Sequence, residues 1–235
     1  MEQRWLYDEF RQVGTDYAHK EEVSRYDARM SALRDPGENV SRIVGLLGLT
    51  GNEIVADIGC GTAEFSIRLA GNSALVYAVD ISEEMLEFGR AKARRRGAEN
   101  IRFEKGGFLT WDRSEGSLDA AVTCMALHHL PDFWKVVGLR RLWKMLRPGG
   151  RLYLSDVVYP FEADRAPAAL DDWCASFRKL APAMENNAER HIRDEYSTTS
   201  WLLEEMLKRS GFTIERYDRD GMISSYLCVK EFDQA

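Results

Sequence analysis

The sequence predicts an α/β fold, a mostly parallel sheet with helices on both faces. Three observations predict it. From residue 54 onward, short β-rich runs alternate with helical stretches, which calls for crossover connections between parallel strands. The runs are nearly all apolar rather than alternating, as in strands covered on both faces. The first run also ends in a glycine turn, within "VADIGCGTAEF" at 55–65, of the kind that leads a strand into a helix beside a ligand.

The first fifty residues are expected to form a helical cap. Residues 2–13 place Trp5, Leu6, Phe10 and Val13 at roughly helical spacing. A second helical stretch, "HKEEVSRYDARMSALRD", ends at Pro36-Gly37, and "ENVSRIVGLLGL" sets Val40, Ile43, Val44 and Leu47 on one side. "EIVADIG" is then a first strand, "AEFSIRLAG" a helix closed by Gly71, and "ALVYAVDI" a second strand. Ser82 caps the next helix, with Glu83 and Glu84 in its first turn and Arg94–Arg96 in its last, an order that suits the helix dipole. "NIRFEKG" and "SLDAAVTCM" follow as strands, and "DFWKVVGLRRLWKML" as a helix stopped by Pro148-Gly149-Gly150. "RLYLSDVVY" is a fifth strand. After Tyr159 the rhythm fails, and residues 160–197 read as a partly helical insert, too long for a simple crossover. "STTSWLLEEMLKRSGF" is a capped helix, and "TIERYDRD" and "MISSYLCVKEF" pair through the turn Asp220-Gly221.

The chain has 235 residues, 45% hydrophobic and 30% charged, which fits one domain over 1–235 with 1–50 as cap and 160–197 as lid. Its net charge of −6 gives no global footprint for nucleic acid. The arginines in "RAKARRR" and "RRLWKMLR" read as solvated surface. The charged first residues lack a signal-peptide core, and no window is apolar enough to span a membrane. The four cysteines are far apart, which speaks against a disulfide framework or structural zinc and for a reducing cytoplasm. A monomer and a homodimer are both compatible with the sequence.

Gly59 and Gly61 let a ligand approach the main chain, and the helix that follows offers free N–H groups. Asp80, closing the second strand, suits two ribose hydroxyls. A dinucleotide register would need glycine at 64, where the chain has Glu64, and Asp57 beside the turn suits a cation better than a phosphate. A ligand with a ribose, a carboxylate and a cation is S-adenosylmethionine. A nucleotide-linked oxidoreductase and a non-catalytic partner that keeps the fold are the competing classes.

"VADIGCGTAEF", "VYAVDIS", "LDAAVTCMALHHLPD" and "LRPGGRLYLSD" together resemble the class I S-adenosylmethionine-dependent methyltransferases, in particular the ubiquinone/menaquinone C-methyltransferase-like branch. The resemblance covers roughly residues 40–158 and the last helix and strands. It implies a Rossmann-like, seven-stranded sheet whose last strand is antiparallel. It implies a cofactor site of Asp57, Gly59, Cys60, Gly61, Asp80, Ile81, Gly107, Phe108 and Cys124. Two positions depart from the family's pattern: Ala63 stands where a third glycine is frequent, and Gly107 where an aspartate often holds the adenine amino group. Main-chain atoms near Phe108 are the expected substitute.

The end of strand four, "CMALHHL", should face the transferred methyl. His128 and His129 are the catalytic candidates, with Asp156 at the end of strand five. Each histidine could accept a proton or orient the acceptor, or merely steer the loop. The candidate acceptor residues are His191, Arg193 and Tyr196 in the lid, and Tyr17 and Tyr26 in the cap, for a small-molecule acceptor. Glu195 and Asp27 stand beside them. No metal is expected from spacing, although His128, His191 and Asp156 could share one if the fold gathered them. Cys60, Cys124 and Cys174 would suit a soft acceptor if they met; as buried apolar fillers they need no such role.

Overall fold

A computed structural model describes residues 5–11, 13–14, 23, 26–27, 36–180 and 186–232. In chain order the elements are α1 (Pro36–Leu47), β1 (Ile54–Ile58), α2 (Glu64–Ala70), β2 (Leu75–Asp80), α3 (Glu83–Arg96), β3 (Ile101–Lys105), β4 (Leu118–Cys124), α4 (Asp132–Met145) and β5 (Leu146–Tyr159). There follow α5 (Ala166–Leu180), α6 (Asn187–Asp194), β6 (Thr198–Thr199), α7 (Ser200–Arg209), β7 (Phe212–Asp220) and β8 (Ile223–Lys230). Seven strands run in the order β3-β2-β1-β4-β5-β8-β7, and the two-residue β6 pairs beside β5. β1 to β5 are mutually parallel, whereas β8 is antiparallel to both β5 and β7. This is the mostly parallel sheet with an antiparallel last strand that the resemblance implies.

Side-chain alternation in β1 divides the core. Ala56 and Ile58 join Leu139, Leu142, Leu203 and Leu207 on the face under α4 and α7. Val55 joins Val40, Ile43, Leu69 and Val76 on the face under α1 and α2. Both faces are therefore dry, which is why the strand sequences are apolar throughout. The predicted cap at Ser82 is present, its hydroxyl accepting from Met85 N at 3.2 Å. The Pro148–Gly150 segment lies inside the irregular start of β5, where the pairing with β4 shifts register, and not in a separate turn.

The helix expected over 2–13 is not formed where it is described, since Trp5–Arg11 are turns and bends. Two local bonds explain the difference. Phe10 N donates to Asp8 Oδ1 at 3.1 Å, and Arg11 N donates to the Asp8 carbonyl at 3.2 Å, closing a turn that competes with helix. Of the second expected helix, Val23, Tyr26 and Asp27 are helical. Tyr17 lies outside the described residues.

The strand order reverses between β1 and β4. At such a switch point the loops after neighbouring strands diverge and leave a crevice at the carboxyl ends. The turn after β1, Asp80 and the segment after β4 all lie at that end.

Candidate active site

The turn after β1 needs glycine for steric reasons. Gly59 has φ +75°, and a Cβ there would lie 2.3 Å from the Cβ of Ala126 in the segment after β4. Gly61 has φ +54°, and a Cβ there would sit 3.8 Å from the Tyr26 ring, so Tyr26 lies beside the turn. Ala63 also adopts left-handed backbone, φ 59° and ψ 25°. That conformation favours glycine and costs an L-residue about 1–2 kcal/mol, which accounts for the small residue there. Met125, just past β4, is the other non-glycine with positive φ among the described residues, at 58°. Strain is thus concentrated at the two strand ends that flank the crevice.

Asp80 ties the turn to β2. Its Oδ2 accepts from Gly61 N at 2.8 Å and its Oδ1 from Ser82 N at 2.9 Å, and burial pushes its carboxyl above the ordinary range. Ile81 continues directly from it. Asp57 is 2% exposed, and its Oδ2 accepts from Ser66 Oγ at 2.5 Å. Burial first, and then the neighbouring Asp80 charge, raise Asp57 to about 7. Two buried neighbouring acids, of which Asp57 has one hydroxyl donor, suit a cationic ligand. Cys60 is buried in the turn and Cys124 is half-buried at the end of β4. Glu64, which argued against a dinucleotide, is turned outward onto Arg68 and Arg96.

The third side of the crevice holds a residue that spacing could not reveal. Glu9, 6% exposed, reaches the loop after β3: Thr110 N donates to its Oε1 at 2.7 Å, Thr110 Oγ1 at 2.6 Å, and Leu109 N donates to its Oε2 at 3.0 Å. A Cβ on Gly107 would lie 2.6 Å from Glu9 Oε2. The missing acid at 107 is therefore matched by an acid from a hundred residues upstream. Of the main-chain atoms near Phe108, the Leu109 amide is already engaged by Glu9. Phe108 itself is buried against Gly138 of α4.

At the end of β4 the main chain makes a short turn, Leu127–His129. His128 is 5% exposed; its Nδ1 bonds Asp156 Oδ1, and its own amide donates to Asp156 Oδ2 at 3.1 Å. Its Nε2 faces Glu195 Oε2 at 3.2 Å. His191 turns Nδ1 to the same Glu195 oxygen and Nε2 to Ser197 Oγ at 2.7 Å. The lid is fastened here: Tyr196 N donates to the His128 carbonyl at 2.8 Å, and the buried Lys135 of α4 donates to the Tyr196 carbonyl.

The sequence-predicted residues divide accordingly. His128, Asp156 and His191 meet, and Glu195, a lesser candidate, is central to them. His129 packs its ring 4.3 Å from His128, and burial lowers it to about 3, so its imidazole stays neutral. Arg193 is exposed and pairs with Asp194. The cysteines do not gather: among the described residues, the only cluster of three potential ligands is His128, His191 and Glu195. Asp156 stands outside that cluster, behind His128.

A sequence profile described as a methyltransferase domain matches residues 55–150. The 27-O-demethylrifamycin SV methyltransferase of Amycolatopsis mediterranei is 30% identical over 178 residues, 68% of this chain and 64% of that protein. The matched region thus spans a little under two thirds of that relative's length. The demethylmenaquinone methyltransferase of Lactococcus lactis is 28% identical over 82% of this chain and 78% of its own. Residues 55–150 thus carry a methyltransferase domain, and the chain is similar to the class I S-adenosylmethionine-dependent methyltransferases. S-adenosylmethionine is its cofactor. The fold agrees with a solved S-adenosylmethionine-dependent methyltransferase from Aquifex aeolicus, with a TM-score of 0.63 at 18% identity over 89% of this chain and 97% of that one. It agrees equally with geranyl diphosphate methyltransferase solved with geranyl diphosphate and sinefungin, with a TM-score of 0.63 at 13% identity over 83% and 78%. Among the described residues of this methyltransferase, no helix is long and apolar enough to cross a membrane.

Proposed function

We propose that this protein methylates a small-molecule acceptor bound between the end of β4 and the lid. The observation that carries the reading is the adjacency of two differently built strand ends. The β1–β2 end has a side-chain-poor turn clasped by Asp80, and the β4–β5 end has a buried polar group, His128 with Asp156. One end suits a nucleoside and the other a polar acceptor.

Bound S-adenosylmethionine supplies a methyl group already activated on a sulfonium. The residues then have two tasks: holding the two partners in line and keeping water out. Alignment alone is worth roughly 7–11 kcal/mol. Asp80 is placed to accept from the ribose hydroxyls, Asp57 to face the cationic end, and the Gly59–Gly61 turn to leave room. Glu9 Oε2 takes the role of the absent acid at 107 toward the adenine amino group, with Phe108 and Leu109 beside the ring. Asp156 fixes the His128 ring with Nε2 against Glu195, so that the pair forms one polar wall of the acceptor site, and the lid brings His191 and Tyr196 over it. His129, half-buried and neutral, shapes this pocket without exchanging protons. The names of the relatives, an O-demethylated rifamycin and a demethylated menaquinone, support a ring-bearing acceptor with oxygen substituents.

Calorimetric titration with S-adenosylmethionine tests the first half. Saturable binding is expected, and Asp80→Ala should weaken it by about 1.5–3 kcal/mol, the range for a hydrogen bond to a charged group. Methyl transfer from labelled cofactor to a panel of hydroquinones and phenols tests the second. Binding of reduced nicotinamide cofactor in place of S-adenosylmethionine would sink the reading.

A further inference from the structure

His128 and His191 come from segments 63 positions apart, yet both point a ring nitrogen at one oxygen of Glu195. The outer nitrogen of each ring is already held, His128 Nδ1 by Asp156 and His191 Nε2 by Ser197 Oγ. Because His128 Nδ1 carries the proton that Asp156 accepts, a neutral His128 has a lone pair on Nε2. That lone pair faces a carboxylate oxygen 3.2 Å away. Either a second proton on Nε2, making His128 an imidazolium, or a metal cation must lie between those two acceptors.

The arrangement has the marks of a metal centre. One donor atom from each of His128, His191 and Glu195 lies within 4.8 Å of the others. A tetrahedral ion with bonds of about 2.0–2.1 Å separates neighbouring ligands by roughly 3.3 Å, close to the gap between His128 and Glu195, while the direct His191–Glu195 contact would open to admit it. Metal-bound histidines nearly always have their second nitrogen tied to a carboxylate or hydroxyl, and both do so here. Two imidazoles and a carboxylate select a transition ion over magnesium or calcium.

We infer that His128 Nε2, His191 Nδ1 and Glu195 bind one divalent transition ion, zinc or ferrous iron, and that its open position takes an ionised oxygen of the acceptor. The inference rests on the acceptor site proposed above and sharpens it. Two neutral imidazoles and one carboxylate leave a divalent ion with net positive charge, which favours a phenolate or enolate oxygen over a neutral ring. In this state His128 is a ligand and not a base. Asp156 and Ser197 are positioning residues. The ion would also fasten the lid, because two of its three ligands lie at the lid's end.

The test uses the full chain, purified without chelator, dialysed and analysed for metals by mass spectrometry, then titrated with zinc chloride and with cobalt(II). The expected results are about one zinc or iron per chain, or uptake of one zinc with a rise in melting temperature. Cobalt should give the intense visible bands of a four- or five-coordinate site. His191→Ala should abolish all of these, and Ser197→Ala should weaken zinc roughly 10–100-fold. Because His191→Ala risks misfolding, Ser197→Ala and retained S-adenosylmethionine binding serve as controls. No stoichiometric zinc uptake and no cobalt bands would overturn the site and leave His128 as an imidazolium paired with Glu195. If that sample still bound S-adenosylmethionine, the failure would belong to the metal alone. Metal uptake without S-adenosylmethionine binding would support the ion and remove the acceptor reading on which its role rests.

Discussion

The carboxylate of Glu9 occupies the space into which any side chain on Gly107 would project. Its Oε2 lies 2.6 Å from that Cβ position and accepts from Leu109 N, while Oε1 is held by Thr110 N, so the carboxylate cannot step aside without losing charge-assisted bonds. The two positions are therefore alternatives: an acid at 107 or an acid at 9, not both.

Gly107→Asp alone should cost about 1–3 kcal/mol of stability by overpacking, and it should weaken S-adenosylmethionine binding. Glu9→Ala alone should also weaken the cofactor. The double variant should recover much of both losses, with a coupling energy of 0.5–3 kcal/mol in a double-mutant cycle, the range for residues in contact. Urea denaturation and calorimetry read the two quantities. Strict additivity would show that Glu9 and position 107 do not share a task.

Much of the architecture was legible because it depends on local rules. Ser82 and its flanking charges announced their helix, and the apolar runs announced a sheet buried on both faces. The glycine turn and Asp80 were legible for the same reason, being close in sequence and at a recognisable junction. Glu9 was not. Its residue type is common, its partners are a hundred positions away, and the apolar spacing around it imitates a helix that Asp8 prevents. The meeting of His128, His191 and Glu195 was half legible. Each residue stood out as polar at a strand end or in the insert, but only the docking of the segment around Tyr196 onto His128 decides that Glu195, and not Asp156, completes the cluster. Arg193 shows the converse, a promising charge spent on its neighbour Asp194 at the surface.

Asp57 should link cofactor binding to protons. Its folded pKa of about 7 stands above the ordinary carboxylate range because burial penalises the charge. The folded chain therefore holds a proton that the unfolded chain has already lost, and the stability this group contributes falls as pH rises from about 4 to about 7. A cationic ligand reverses the preference and drives the proton off. At pH 6, S-adenosylmethionine binding should release close to one proton, and affinity should climb with pH before levelling above about 7. Calorimetry in two buffers of different ionisation heat measures the release directly, and Asp57→Asn should abolish it. Equal heats in both buffers at pH 6 would remove Asp57 from the cationic end.

Gly59→Ala separates steric need from backbone preference. The substitution meets both a left-handed φ and a Cβ overlap with Ala126, so roughly 2–4 kcal/mol should be lost, with cofactor binding lost alongside. Gly97→Ala is the matched control. Its φ is +68°, but nothing lies within 4 Å of the added carbon, so only about 1 kcal/mol should go and cofactor affinity should hold. Equal losses at the two sites in urea denaturation would mean that Ala126 yields, and that the turn is not wedged between β1 and β4.

Lys92 joins the cap to the cofactor turn. It is 5% exposed, and its Nζ reaches Asp27 of the cap, Thr62 Oγ1 at 3.0 Å and Glu64 Oε2 at 3.5 Å. A buried cation removed from its partners strands their charge, which in a sealed site costs about 3–5 kcal/mol. Here Asp27 and Glu64 keep contact with water, at 34% and 23% side-chain exposure, so the loss from Lys92→Met should be smaller, about 1–2 kcal/mol. Arg68→Met provides the contrast, because Arg68 pairs with the same Glu64 from the surface and should cost under about 0.5 kcal/mol. The two variants should also differ in cofactor binding. Lys92→Met leaves Thr62, next to Gly61, held by Asp27 alone and should raise the dissociation constant for S-adenosylmethionine, whereas Arg68→Met should leave it unchanged. Matched effects of the two variants on both stability and affinity would show that the cap is not anchored through Lys92.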